Sequence, residues 1–162
     1  MDKVAEYMSN NTKVATVMAA RELGVSEKTV LKAIPDQAFE ISADYFEQVM
    51  QEMSGWGDMT IIVTNGSVIF EVKSPVPSGG FARGFYNFHE DGNCVGGHLM
   101  VDKFDSIFFV DRPFMGMESL SVQIYDENGD AAIKFYLGRG EDRQIKQEQK
   151  ERYLNLKKGF MQ

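Results

Sequence analysis

The chain has 162 residues, with 24 acidic against 17 basic side chains and a formal net charge of −7. That length fits one domain, and the excess of carboxylates counts against nonspecific nucleic-acid binding, whose affinity comes largely from neutralising phosphates. A single cysteine excludes an internal disulfide, and no apolar run approaches the roughly 20 residues that a membrane-spanning helix needs.

The first residues, Met1-Asp2-Lys3-Val4-Ala5-Glu6, lack the basic-then-apolar pattern of a secretory leader. A soluble, cytoplasmic protein with no membrane contact is the expectation. Residues 1–35 read as a helical subregion. Val14, Val17 and Met18 recur at helical spacing, Gly24 is placed to end that helix, and Ser26 to cap the next. Val30, Leu31 and Ile34 form the second helix's apolar face, and Pro35 closes it. The phrase from Ala20 to Val30 resembles a helix–turn–helix. Read as DNA recognition it would put Glu27, Lys28, Thr29 and Lys32 near a groove. The preferred reading is a packed helical pair, because the second helix lacks the arginine and asparagine that commonly read bases.

Residues 36–162 read as a sheet with flanking helices. Ser42 starts a helix whose stripe is Tyr45, Phe46, Val49, Met50 and Met53, and Trp56 follows as a core plug between two glycines. Strands are predicted over 60–64 and 68–73, joined by a hairpin at Asn65-Gly66. Pro75, Pro77 and the Ser78-Gly79-Gly80 run predict a loop. Further strands are predicted over 82–88, 97–101, 106–110, 119–125 and 131–137, with tight turns at Asp91-Gly92 and Asn128-Gly129. Helix returns over 141–160, with Ile145, Gln149, Tyr153, Leu156 and Phe160 on one face. Short turns between successive strands imply an antiparallel meander, so the expected class is α+β: one domain, 1–162, with a large antiparallel sheet flanked by helices.

The residues that could carry chemistry concentrate between Arg83 and Met117. Both histidines, the only cysteine and three of the ten methionines lie there. A phenol, imidazoles and thioethers are side chains that ligate or cover an iron porphyrin, and they are also ordinary contents of a sheet. No dinucleotide fingerprint, phosphate-binding loop, zinc-protease helix or nucleophile elbow is present. His89, Cys94 and His98 offer only three zinc ligands across a turn.

Several runs resemble the intracellular haem-utilisation carriers of the HutX/ChuX family. They are the stretch from Phe70 to Gly79, Ala82-Arg83-Gly84-Phe85-Tyr86-Asn87-Phe88, Gly96-Gly97-His98-Leu99, the Arg112-Pro113-Phe114-Met115-Gly116-Met117 run and Lys134-Phe135-Tyr136-Leu137-Gly138-Arg139. The resemblance covers nearly the whole chain. It implies a cytoplasmic, non-enzymatic protein of bacterial haem uptake. Such a protein holds haem reversibly as cargo, forms a homodimer and delivers to a haem-degrading acceptor protein. It also implies a fold related to one half of the ChuS/HemS-type haem proteins.

Carried over residue by residue, the family's histidine matches His98 and its aromatic pair matches Phe85 and Tyr86. Phe85 cannot ligate iron, and a further family histidine falls near Thr64. Adjacent strand side chains face opposite ways, so Tyr86 would face away from a haem that Phe85 contacts. His98 is therefore the first choice of iron ligand, Tyr86 the second, and His89 stands behind both. Met100, Met115 and Met117 are candidate pocket lining. Arg83, Arg112 and Arg139 are candidate partners for the haem propionates. Two alternatives are a haem-degrading enzyme of the ChuS/HemS type and a helix–turn–helix DNA-binding regulator.

Overall fold

Three short helices open the chain in the computed structural model, which describes residues 2–162: α1 (Lys3–Asn10), α2 (Thr16–Leu23) and α3 (Glu27–Lys32). The expected punctuation is there. Gly24 ends α2 at a φ of 65°, a left-handed conformation that suits glycine, and the Ser26 hydroxyl accepts the Thr29 N–H at 3.1 Å to start α3. The expected stripe on α2 is not the buried one. Val17 and Met18 face solvent, and α2 instead buries Ala19 and Ala20 against Val4, Met8 and Val30. Small side chains allow that close helix approach.

The remaining elements are β1 (Ala38–Ser42), α4 (Phe46–Met53), β2 (Asp58–Thr64), β3 (Ile69–Pro75), β4 (Gly79–Ala82), β5 (Phe85–Phe88), β6 (Gly97–Leu99), β7 (Phe104–Asp111), β8 (Leu120–Asp126), β9 (Ala131–Tyr136) and α5 (Gln147–Phe160). Six strands form one antiparallel sheet in the order β1-β7-β8-β9-β2-β3, and β4-β5-β6 form a second. The class is α+β with a large antiparallel sheet, as expected, and the meander proper is β7-β8-β9. Four local expectations are corrected. β1 lies where no strand is predicted. The predicted strand over 82–88 is broken by a turn at Arg83-Gly84, and the glycines read as loop begin β4. Helix α5 starts six residues late, because Gly140 N–H bonds to the Gln144 carbonyl at 2.9 Å and turns the chain first.

The main core lies between the sheets and α4 and α5. It takes Phe46, Val49, Met50 and Met53 from α4, Trp56, Met59 and Ile61 around β2, and Gln149 and Tyr153 from α5 beside them. Strand alternation sends Met59 and Ile61 into this core, while Thr60 and Ile62 face the other side of the large sheet.

The helical subregion is fastened to that other side. Leu31 packs on Phe108, Val110 and Tyr125. Lys28 pairs with Asp105, and Lys32 lies 3.6 Å from Glu40. The lysines that would have approached DNA are thus engaged with the sheet, and the helix carrying them is packed down. This placement supports the reading of residues 1–35 as a packed helical pair. Among the described residues, no helix is long and apolar enough to cross a membrane.

Candidate functional site

The small sheet turns one face outward. Gly80 pairs with Asn87, Ala82 with Phe85, and Asn87 with His98, so these five residues share that face. Glycine and alanine add little bulk, which leaves a flat platform with the Phe85 and His98 rings 5.8 Å apart between centroids. His98 is exposed, and its Nδ1 lies 2.6 Å from the Asn87 Oδ1.

The loop that delivers β6 is held by polar contacts. Asn93 donates to Glu90 at 3.0 Å and to the Pro75 carbonyl at 3.2 Å, and its side-chain oxygen accepts the Val95 N–H at 2.8 Å. Ser78 donates to the other Glu90 oxygen at 2.9 Å. These hydrogen bonds, that from Asn93 first, hold the Glu90 carboxyl below its ordinary range.

An apolar cleft of about 600 Å³ opens on the reverse of the platform, between the inward face of the small sheet and β2 and β3. Val63, Phe70, Val72, Phe88 and Leu99 form its walls, and Met100, which is 53% exposed, lies at its mouth. Lys103 supplies a cation there, 3.7 Å from Glu127. The volume lies within the range of small-ligand sites. An exposed imidazole beside the Phe85 ring on a flat face suits a planar ligand whose metal seeks one nitrogen donor.

Of the other predicted residues, His89 comes to this face, its Nε2 3.5 Å from where a Cβ on Gly80 would stand, and the rest do not. Tyr86 is a correction: it faces inward from β5, is 1% exposed, and packs edge-on against Phe46 at 5.1 Å and Phe81 at 5.2 Å. Burial raises its phenol above the ordinary range, which opposes the phenolate that iron would need. Arg112 is a second correction. Its guanidinium is buried and spent on four oxygens: Gln37 Oε1 at 2.6 Å and the carbonyls of Val14 at 2.8 Å, Thr12 at 3.1 Å and Asn11 at 3.4 Å. Arg83 sits exposed in the β4–β5 turn, and His89 is exposed on the loop after β5. Met115 and Met117 ride on the 114–117 turn, away from the cleft lining.

A second cavity, of about 760 Å³, lies on the opposite face of the large sheet, under the helical subregion. Its lining includes Tyr136, Lys134, Arg139 and Thr64. Among the described residues, the cations Lys73, Arg143 and Lys146 on its lining have no carboxylate in ion-pair reach. Arg139 donates to the carbonyls of Glu118 and Arg143. Burial, then the nearby Glu27 and Glu71 charges, push the Tyr136 phenol up to about 12. Strand alternation puts Lys134 and Tyr136 on one face, but nothing in the sequence signals that this face is hollow.

Comparison with known proteins agrees with this architecture. The family model described as haem utilisation ChuX/HutX matches residues 39–156. The intracellular heme transport protein HutX of Vibrio cholerae is 30% identical over 161 residues, covering 99% of this chain and 83% of that protein. A solved protein from Agrobacterium tumefaciens is 30% identical with a TM-score of 0.89, covering 97% of this chain and 90% of its own. The structure of the heme-binding protein ChuX is 25% identical with a TM-score of 0.91, covering 99% and 100%. The heme-degrading enzyme ChuS of Escherichia coli O157:H7 shares the fold over 93% of this chain and 47% of its own, with a TM-score of 0.76 and 13% identity. On the family match and the near full-length relatives, this chain belongs to the haem utilisation ChuX/HutX family.

Proposed function

We propose that this protein is an intracellular, non-enzymatic haem carrier, with haem as its cargo and His98 as the iron ligand. The observation that carries this reading is the exposed His98 imidazole, standing beside the Phe85 ring on a flat, open face. The transport role in the name of the HutX relative supports it. One axial ligand on an open face gives a complex that a partner can reach, which suits release as well as binding. Delivery to a haem-degrading acceptor belongs to the same reading. We propose too that residues 1–35 and 36–162 work as one domain, on the strength of the Arg112 and Lys28 contacts between them. The homodimer that the resemblance implies has a candidate surface in the open backbone edge of β3, the last strand of the large sheet.

A second reading of the haem position places the macrocycle in the larger cavity, because its unpaired cations could pair with two propionates. The raised Tyr136 phenol and the lack of an imidazole there weigh against it.

Titration of the apoprotein with ferric haem tests the carrier reading. The expected result is a saturable, shifted Soret band, lowered in affinity by His98→Ala and unchanged by Tyr136→Phe. Incubation of the complex with a reductant should give only slow loss of haem. Rapid, stoichiometric ring cleavage would favour the haem-degrading alternative, and a spectrum identical to free haem would sink the carrier reading.

A further inference from the structure

Asn87 and His98 face each other across β5 and β6, and their side chains meet at 2.6 Å. Which ring nitrogen carries the proton follows from how the Asn87 amide is turned. Its Nδ2 lies among three backbone carbonyls: Ala82 at 3.1 Å, Phe85 at 3.2 Å and Gly80 at 3.4 Å. An NH₂ group donates to such acceptors. Turned the other way, the amide would set its oxygen against three carbonyl oxygens and its NH₂ against the ring. The carbonyls therefore fix the amide oxygen toward His98. An amide oxygen only accepts, so His98 Nδ1 must donate.

We propose that Asn87 is a positioning residue that holds His98 as the Nδ1–H tautomer and leaves the Nε2 lone pair as the open, metal-facing nitrogen. The proposal rests on the haem-carrier reading for its purpose, though not for its geometry. Histidines that bind metals through one nitrogen commonly donate from the other, which fixes the ring and raises its basicity. Here the acceptor is a neutral amide rather than a carboxylate. A neutral acceptor pulls less on the proton, so the imidazole is a weaker donor to ferric iron. A protein that must surrender its cargo is served by that choice.

The test begins without haem. In ¹⁵N-labelled apoprotein at a pH where His98 is neutral, the ring shifts should show a protonated Nδ1 and a bare Nε2. Asn87→Ala should return His98 to the Nε2–H form that free imidazole side chains favour. It should also weaken ferric haem binding by about tenfold to a hundredfold. Asn87→Asp separates positioning from mere support of the turn, because it keeps an acceptor for Nδ1 while its second oxygen replaces the Nδ2 donors against the three carbonyls and so undoes the support. The proposal expects Asn87→Asp to keep the Nδ1–H tautomer, bind ferric haem more tightly than the wild type and lower the iron midpoint potential. If Asn87→Asp behaves like Asn87→Ala in all three readouts, the role is structural and the proposal falls. An Nε2–H tautomer in the wild-type apoprotein overturns it outright. A wild-type Nδ1–H tautomer without saturable haem binding would instead leave Asn87's hold on His98 standing and remove the carrier reading.

Discussion

Lys134 Nζ sits 2.7 Å from Glu27 Oε1, and the two side chains keep only 10% and 8% of their exposure. The pair joins β9 to α3, and the Thr16 hydroxyl donates to the same carboxylate oxygen at 2.7 Å. Removing one partner strands a charge in a poorly hydrated place, whereas removing both does not. Glu27→Leu and Lys134→Met should each cost about 3–5 kcal/mol in denaturant unfolding, and the double variant should recover most of that loss. Equal and additive losses would show that the pair is solvated in solution.

Arg112 is the second fastening, with four oxygens around one guanidinium. A lysine ammonium is a point charge and cannot reproduce that planar fan. Arg112→Lys should cost about 2–4 kcal/mol and speed amide exchange in α1 and α2 before it does so in β7 and β8. Ferric haem affinity should stay within about twofold of the wild type, given that the guanidinium is committed to the protein.

Stability should fall on the alkaline side. Burial raises the phenols of Tyr125, Tyr136 and Tyr153, with Glu27 adding to the first two and Asp111 to the third. A group whose folded pKa exceeds its unfolded value contributes fully below the unfolded pKa, near 10 for tyrosine, and loses that contribution as pH rises toward the folded value. The unfolding free energy should be level to about pH 9.5 as far as these groups are concerned. It should then drop by up to about 1.4 kcal/mol per pH unit for each buried phenol. Tyr136→Phe should remove one such contribution from the window between about 10 and 12. An unchanged alkaline slope in that variant would contradict the assignment.

Much of this was readable in the chain. Gly24 and Ser26 mark helix ends by backbone chemistry that needs no tertiary context, and Asn65-Gly66 marks the β2–β3 hairpin in the same way. The opposite facing of Phe85 and Tyr86 follows from strand parity alone, and the unbroken register of β5 keeps it. What was not readable depends on distant partners. Gly79 looks like loop, but a Cβ there would lie 2.5 Å from the Asn87 carbonyl oxygen and 2.6 Å from Tyr86 Cε1, so a packed neighbour requires that glycine. β1 has only five residues, and its pairing with β7 supplies the support its own sequence does not advertise. Arg112 looked like a propionate partner because its acceptors are backbone oxygens about a hundred residues earlier.

The inward face of the small sheet offers a separate check. Tyr86→Phe should leave ferric haem affinity and the Soret band unchanged, since the ring packs on Phe46 and Phe81. Tyr86→Ala should cost about 3–5 kcal/mol in unfolding. Gly79→Ala should cost about 1–3 kcal/mol by pressing on the same ring. A changed Soret band in a stably folded Tyr86→Phe would return the phenol to the list of iron ligands.

The most direct test of the account is chemical rescue at His98. His98→Gly should bind ferric haem at least about tenfold more weakly than the wild type, on the scale of a lost metal ligand or its support. Free imidazole should then restore both the wild-type Soret position and the affinity, while having little effect on the wild type itself. A His98→Gly protein that keeps the wild-type spectrum and affinity without imidazole would contradict His98 as the iron ligand and move the haem to the opposite face of the large sheet.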